Sequence, residues 1–346
     1  MRSADLSEED RTLLRQFLDD LRRDELLSFM RTRQVEGRSG NKGDLLDNLF
    51  EAMDAGHVAL RDLIGLLDDA EPWARQHVFL YEGPPLSIVR RWRKADEAHK
   101  VLAQAKLAKY VGKQVPLFLP EKLMLTSIEY QDGARLRVVA VEKRVSRERA
   151  QDHDEEETIG DERIEYQAYR KRTTRGLIAF EWDLVENVAH LQVSQLPSGN
   201  DYDEAEARMA NLLKDWVDLS QFSRVDIGRA IVRFEMDEQG GDASLRCHGI
   251  DYATTQGRRV IAKSKHKDQP LLGEEAVVDD ALVNVRTTGG TGHSGNVYFL
   301  PTKQNPLEGD VHVYLVGGDR QRINFPTDNR EEDVRHVLDR IRAAAK

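Results

Sequence analysis

The chain has 346 residues, 40% of them hydrophobic and 32% charged, a composition typical of a globular protein with two or three domains. Its formal net charge of −10 excludes a uniformly basic coat for nucleic acid, although a basic face can form on an acidic protein. A single cysteine, Cys247, excludes an intramolecular disulfide and a thiolate metal framework, and no stretch approaches the ~20 apolar residues of a membrane span. We expect a cytoplasmic protein (nuclear in a eukaryote), in a reducing compartment and without membrane contact.

Residues 1–82 are predicted to be helical. Ser7 and the three carboxylates after it favour a helix start, and leucines then recur at helical spacing through Leu21. Further helices are predicted over 58–67 and 73–80, before Gly83-Pro84-Pro85 ends the run. Such a series of short helices indicates a compact bundle, which suits a DNA-binding unit or a death-fold-like interaction module such as a pyrin domain.

Residues 21–49 predict two short helices joined by an extended turn that contains glycine. Each helix offers a row of apolar residues: Leu21, Leu26, Met30 and Val35 in the first half, and Leu45, Leu46 and Leu49 in the second. Four basic side chains gather around the turn: Arg31, Arg33, Arg38 and Lys42. A unit this small buries little surface, so it must pack against neighbours or against a ligand.

This spacing resembles the SAP module, a helix–extension–helix motif that binds DNA. The residues that match the family's pattern are Glu25, Leu26, Met30, Arg33 and Val35, then Gly40, Lys42, Leu45 and Leu49. The chain departs from the pattern at Gln34, where glycine is preferred, at Asn48, where arginine is usual, and in an extension one residue longer. The resemblance is confined to residues 21–49 and implies that this unit contacts DNA.

Residues 83–113 form a basic segment between the predicted domains. Arginine and lysine outnumber carboxylates there, and apolar residues recur at helical spacing, which predicts one or two basic amphipathic helices. The basic side chains either face solvent or extend a surface that follows the phosphates of DNA. The latter would use Arg90, Arg91, Arg93 and Lys94.

From residue 114 the apolar period becomes two, which predicts strands, and Asp132-Gly133 marks a hairpin turn. Residues 151–162 are predicted to be a mobile acidic loop, 202–217 and 224–236 helices, 281–287 a strand, and the last helix begins near Asn329. The predicted fold class is α+β, in which an N-terminal all-helical bundle is joined by a basic helical linker to a largely antiparallel-sheet α+β domain. The predicted boundaries are 1–82, 83–113 and 114–346.

Basic clusters recur at the ends of three predicted strands. They favour a face that follows a phosphate backbone, although a solvated face balanced by the acidic loop is the alternative, and that loop could mask the cations. With the helical unit and the linker, the residues predicted to contact DNA are Arg31, Arg33, Arg38, Lys42, Arg90, Arg91, Arg93, Lys94, Arg144, Arg147, Arg170, Lys171, Arg172, Arg175, Arg258, Arg259, Lys263 and Lys265.

Catalytic and cofactor signals are weak. The glycine-rich residues 289–295 lack a phosphate-loop pattern and are predicted to be a flexible hairpin tip, with phosphate or protein binding as the minor interpretation. No histidine pair has metal-ligand spacing, and the carboxylates nearest to a nuclease pattern, at Glu142-Lys143 and Glu181/Asp183, lack its spacing. We therefore predict no cofactor, no metal site and no catalytic residues.

The order of the parts is similar to that of the CENP-N/Chl4 centromere family. The residues that carry the likeness are the helix over 60–67, followed by Trp73, Phe79 and Gly83-Pro84. This resemblance implies that a basic groove between the parts holds DNA and that the C-terminal domain pairs with a partner protein.

The leading hypothesis is a non-catalytic protein that binds duplex DNA through phosphate contacts, with low sequence specificity. The first alternative is a protein–protein adaptor with a death-fold-like N-terminal module, which pairs with a partner or a second copy through its C-terminal domain. The second alternative is a metal-dependent nuclease.

Overall fold

The computed structural model describes residues 6–115, 117–159, 161–273 and 275–346. Its N-terminal helices are α1 (Glu8–Asp20), α2 (Arg23–Thr32), α3 (Lys42–Asp54) and α4 (Leu60–Ala70), followed by a 3-10 turn at Glu71–Trp73. The two helices predicted within residues 21–49 are confirmed as α2 and α3. Their apolar rows face each other, because Leu26 and Met30 on α2 share one core with Leu45 and Leu49 on α3.

The later helices are α5 (Leu86–Trp92), α6 (Ala95–Gln104), α7 (Tyr202–Leu213), α8 (Ile227–Gln239), α9 (Ala276–Thr287) and α10 (Glu331–Ala345). The strands are β1 (Gln76–Glu82), β2 (Met124–Gln131), β3 (Arg135–Arg149), β4 (Glu155–Ile159), β5 (Glu162–Tyr166), β6 (Tyr169–Asp183), β7 (Val188–Ser194), β8 (Ser223–Arg224), β9 (Leu245–Ala253), β10 (Arg259–Lys263), β11 (Thr291–Phe299), β12 (Val311–Val316) and β13 (Arg322–Phe325). The α+β class and the antiparallel sheet are thus confirmed.

Eleven strands of the described residues form one antiparallel sheet in the order β10-β9-β11-β12-β13-β1-β7-β6-β3-β2, and β8 pairs with β1 outside this path. Its centre is β1, which lies within the segment predicted to be helical. The prediction of a helix over 73–80 is therefore wrong. The run Val78 to Tyr81 is buried on both sides, and a continuous apolar run does not distinguish a central strand from a buried helix.

Helices cover the two faces of the sheet over different halves. Val78 and Leu80 of β1 point to the first face, where they share a core with α8 and α10. Phe79 and Tyr81 point to the second face, where they share a core with α5, α6 and α7. The N-terminal helices lie against the first face at the β3–β6 end of the sheet, where the Arg175 guanidinium lies 4.6 Å from the Phe17 ring centroid.

Two further predictions are wrong in this region of strands. Residues 281–287 belong to helix α9, whose only buried residue is Leu282. The valines of this segment favour a strand, but strand propensity is weak where no sheet neighbour supports it. The strands β4 (Glu155–Ile159) and β5 (Glu162–Tyr166) pair as a two-stranded sheet with Glu155 opposite Tyr166, although residues 151–162 were predicted to be a loop.

The glycine-rich residues 289–295 are not a hairpin tip, because β11 begins within them at Thr291. Their glycines let α8 approach the sheet. A Cβ atom on Gly292 would lie 2.5 Å from the carbonyl oxygen of Gly228, and one on Gly228 would lie 2.8 Å from the carbonyl oxygen of Gly292. At this distance between two backbones only glycine fits, so the sequence signal indicates packing rather than flexibility.

Candidate nucleic-acid interface

Strands β3 and β6 extend past their other neighbours in the sheet, β2 and β7. In this extension, among the described strands, β3 and β6 pair with each other alone. We call residues 143–149 and 169–175 the basic ribbon, since they carry eight arginines and lysines and one carboxylate, Glu148. The register runs from Lys143 opposite Arg175 to Arg149 opposite Tyr169. The long uninterrupted pairing of β3 with β6 is what brings the sequence clusters at 143–149 and 170–175 together.

Two cations of the basic ribbon are turned into the protein. The side chain of Arg175 is 2% exposed and pairs with Glu71 at the end of α4. Arg144 is also buried and donates to Glu142 Oε1 at 3.1 Å and to the Ser194 carbonyl at 2.7 Å. Both lie where the ribbon joins the body of the sheet, so they hold the fold together and we leave them out of the candidate interface.

Farther along the ribbon the cations are exposed. Arg147 lies directly across the ladder from Lys171, and Arg170 is the next residue along β6. The side chains of these three residues make no hydrogen bond or ion pair within the part of the chain that the structure describes. Like charges directly opposite each other in a ladder are unfavourable, and a bound anion relieves that repulsion.

The turn between α2 and α3 lies beside the basic ribbon, and the end of α1 connects the two. Lys42 donates from its ammonium group to the carbonyl of Asp19, and Arg172 of the ribbon pairs with the carboxylate of Asp20. Burial raises the pKa of Asp20, and the positive charges of Arg172 and Lys42 act against that shift. The helical unit and the ribbon therefore place their cations on neighbouring surfaces.

Backbone geometry fixes the α2–α3 turn in its extended form. Gly37 and Gly40 have positive φ angles of 70° and 104°, which glycine adopts without strain. Asn48 donates to the Gly37 carbonyl at 2.8 Å, and Asn41 caps α3 by accepting from the Asp44 amide at 3.1 Å. Asn48, where the SAP pattern usually has arginine, thus binds the turn itself.

We define the cationic surface as Arg38 and Lys42 beside the turn together with Arg147 and Lys171 of the ribbon; Arg170, adjacent to Lys171 on β6, points to the opposite face of the ribbon and is left out. Arg38 is exposed and, within the described ranges, has no hydrogen bond or ion pair through its side chain. Of the remaining predicted cations of α2, Arg31 is exposed, whereas Arg33 lies 3.0 Å from Asp62 on α4.

The linker cations lie elsewhere. Helices α5 and α6 pack on the second face of the sheet, opposite to the N-terminal helices. Arg90 and Arg91 are exposed there, but Arg93 donates to the carbonyls of Leu184 at 2.6 Å and Val185 at 2.8 Å. Lys94 pairs with Glu97 at 2.9 Å. This group therefore does not continue the cationic surface.

The last predicted group lies at the far edge of the sheet. Arg259 and Lys263 are on β10, with Arg258 just before it and Lys265 just after it. Strand β10 is seven positions from β6 in the sheet, or about 34 Å at the usual strand spacing. Arg259 also pairs with Asp251, with 2.7 Å between Nε and Oδ1. The structure thus brings together the turn and ribbon groups, and separates the other two.

The acidic hairpin β4–β5 continues from the tip of the basic ribbon. Arg149 at the end of β3 holds Asp154 through two hydrogen bonds of 2.5 and 2.7 Å. These bonds lower the pKa of Asp154 to about 2. The hairpin therefore brings many carboxylates next to the ribbon, but its ion pair is with Arg149 and leaves Arg147 and Lys171 unpaired.

Two of the carboxylates nearest to a nuclease pattern, Glu142 and Glu181, are engaged by arginines, and the third, Asp183, accepts from the backbone amides of Val185 and Glu186. Glu142 pairs with Arg144 and Arg208, and Glu181 receives two hydrogen bonds from Arg335, at 2.6 and 3.0 Å. Burial alone would raise the pKa of Glu181, but the neighbouring His190, Arg335 and Arg135 hold it at about 2. Among the residues that the structure describes, no group of three or more histidine, cysteine or carboxylate side chains could hold a metal ion.

Sequence reasoning missed Asp19 and Asp20, which connect the turn to the ribbon. It treated them as the ordinary end of a helix, because a contact between distant segments, here through the Asp19 carbonyl and the Asp20 carboxylate, has no local pattern. The run Asp19-Asp20 before a basic turn was the available signal, since adjacent carboxylates at a helix C-terminus are disfavoured by the helix dipole.

No helix among the described residues is long and apolar enough to cross a membrane. Comparisons of the chain with protein-family models and with curated protein sequences give no match.

Proposed function

We propose that this chain is a non-catalytic DNA-binding protein that contacts the phosphates of duplex DNA through the cationic surface. The observation that carries the proposal is the unpaired like-charge pair Arg147–Lys171, exposed on the ribbon that the end of α1 connects to the α2–α3 turn. Protein surfaces usually balance such charges with carboxylates, and an unbalanced pair is favoured where an anion binds. Phosphate contacts of this kind give affinity without reading the bases, so we expect low sequence specificity.

The resemblance of residues 21–49 to the SAP module supports the same proposal. The turn that carries Arg38 and Lys42 is the part of the motif that would face DNA, and it lies next to the basic ribbon. The two elements together would contact successive phosphates along one side of a duplex. We place this activity in the cytoplasm, or in the nucleus of a eukaryote.

Fluorescence anisotropy with a labelled duplex tests the proposal. The variant Arg147→Glu/Lys171→Glu should weaken binding by at least about tenfold at moderate salt, because two phosphate contacts become repulsive. The matched control is Lys303→Glu/Lys346→Glu, which makes the same change in net charge at two exposed lysines outside the cationic surface. Equal affinity of both variants, or no duplex binding by the unaltered protein, would contradict the proposal and favour the adaptor hypothesis.

A further inference from the structure

No helix of the described residues covers the second face of the sheet over β9, β11 and β12. The core-facing residues Cys247, Val297 and Val313 of these strands pack under α8 and α10 on the first face. On the second face, the segment after β10 contacts Arg246 through the Lys267 carbonyl at 2.8 Å and His248 through the Ser264 hydroxyl at 2.6 Å. Helix α7 marks the border of the covered part, where Tyr202 stacks on His77 with 3.6 Å between ring centroids. The burial pattern of β12 alternates accordingly, and Tyr314 is 40% exposed.

We call this uncovered area the open face; it consists of Arg246, His248, Asn296, Tyr298, His312 and Tyr314. Three of these side chains form a row across neighbouring strands. On β9, the Arg246 guanidinium lies 5.1 Å from the Tyr298 ring centroid. On β12, at the other side of β11, the His312 ring stacks on Tyr298 with centroids 4.5 Å apart and an interplanar angle of 13°. Asn296 fixes His312 through a hydrogen bond, so the rings are held in place.

The charge around the open face is positive. Residues 245–267, which form β9, β10 and the segment after them, contain six arginines and lysines and one carboxylate, Asp251. Arg246 pairs with Asp310 at 3.0 Å and Arg259 pairs with Asp251, so the excess positive charge lies on the other four. Lys263, Lys265 and Lys267 are exposed and, within the described residues, form no ion pair. The third basic group of the sequence, which is remote from the cationic surface, thus borders an aromatic sheet face.

We infer that the open face binds single-stranded nucleic acid, with a base stacked on Tyr314 beside the His312–Tyr298 row and with phosphates at the lysines of residues 263–267. Fixed aromatic rings within a positive surround are the features that such binding requires, because every base has a face to stack and every nucleotide has a phosphate. Antiparallel sheets with helices on one face and aromatic residues on the other bind single strands in this way. A protein partner is less well matched, because interface cores are depleted in lysine.

This site is separate from the cationic surface proposed for duplex DNA. It lies on the opposite face of the sheet and near the opposite edge, so the two can be altered independently. Arg147→Glu/Lys171→Glu should therefore leave single-strand binding unchanged, and variants of the open face should leave duplex binding unchanged.

The test uses the full chain and three labelled strands of equal length in fluorescence anisotropy: oligo(dT), oligo(U) and an abasic DNA strand. We expect oligo(dT) or oligo(U) to bind, their ratio showing which sugar is preferred, and the abasic strand to bind at least about tenfold more weakly because it has phosphates but no bases. Tyr314→Ala should weaken binding of the preferred strand about tenfold. The matched control is Tyr166→Ala, since Tyr166 is also an exposed strand tyrosine, 48% exposed, on the acidic hairpin.

Lys263→Glu should also weaken the preferred strand, and circular dichroism of each variant establishes that the fold is intact. Three results would overturn the inference: no binding of either base-containing strand, equal binding of the abasic strand, or equal affinities for the two tyrosine variants. Each of these outcomes leaves the proposal for duplex binding untouched, since that proposal depends on Arg147 and Lys171.

Discussion

Arg147 and Lys171 occupy directly opposed positions in the β3–β6 ladder, and within the described residues no carboxylate pairs with either. We predict that Lys171→Glu raises the stability of the protein and lowers its affinity for duplex DNA. It replaces a repulsive cross-strand pair by an attractive one, so the free energy of unfolding should rise by less than about 1 kcal/mol. Duplex affinity should fall about tenfold because a phosphate contact is lost.

Urea unfolding and duplex titration of the same preparation measure both effects. Lys303→Glu is the control, because it reverses one exposed lysine outside the ribbon. A variant that gains stability and keeps its duplex affinity would mean that the basic ribbon is only a solvated surface.

The contact between Gly228 and Gly292 predicts a large effect of a small substitution. Gly292→Ala should lower the free energy of unfolding by about 3 kcal/mol, because its new Cβ would lie 2.5 Å from a backbone oxygen that the α8–sheet packing holds in place. Gly309→Ala is the matched control, since no atom lies within 4 Å of its Cβ position, and it should change stability by less than about 0.5 kcal/mol. Similar denaturation midpoints for both variants would show that α8 can move away from the sheet.

The sequence predicted those parts of the fold whose signals are local. The capped start of α1 follows from Ser7 and the carboxylates after it, and the hairpin follows from the turn residues Asp132-Gly133. The wrong predictions concern segments whose conformation depends on packing against residues distant in the sequence. The apolar run of β1 is equally compatible with a buried helix, and only its pairing with strands on both sides identifies it as a strand. Gly292 in a glycine-rich stretch suggests flexibility, whereas its close contact with α8 shows that it is needed for packing.

The same limit applies to the candidate site. Clusters of arginine and lysine are visible in the sequence, but burial is not, so Arg144 and Arg175 could not be told apart from Arg147. The pairing of β3 with β6 brings two clusters together, whereas the sheet order moves Arg258 and Lys263 to the other edge. The open face was missed because Tyr298 and His312 look like ordinary alternating strand residues until the helix layer is known.

Asp68 predicts a pH dependence of stability. Burial raises the pKa of its carboxyl from 3.8 to about 7, although it accepts a hydrogen bond from the Val115 amide at 3.2 Å. Since the folded protein holds this proton more tightly than the unfolded chain, the favourable contribution is complete below the unfolded pKa and is lost as the pH rises through the folded pKa. The free energy of unfolding should therefore decrease by up to about 3 kcal/mol between about pH 5 and about pH 8.

Asp68→Asn should therefore flatten the pH dependence measured by urea unfolding at these two pH values. Some slope should remain, because burial also raises the pKa of Glu238 to about 7. The same pH difference in the variant and in the unaltered protein would show that Asp68 does not titrate in this range.

The cap of α3 predicts a smaller effect. Asn41 accepts from the Asp44 amide at 3.1 Å, and the Asp44 carboxylate accepts from the Asn41 amide at 2.8 Å. Asn41→Ala should lower the free energy of unfolding by about 1 kcal/mol. Asn41→Ser should cause a much smaller loss, because serine can also cap the helix. Thermal or urea unfolding measures the difference, and equal losses for both substitutions would exclude capping as the role of this side chain.

The salt dependence of duplex binding tests the central claim most directly. For the unaltered protein, the logarithm of affinity should fall linearly with the logarithm of salt concentration, with a slope of about −0.9 for each phosphate contacted. Arg147→Glu/Lys171→Glu should make that slope less steep by about two contacts, whereas Lys303→Glu/Lys346→Glu should leave it unchanged. An identical slope for all three proteins would contradict the assignment of the cationic surface as the site of duplex binding.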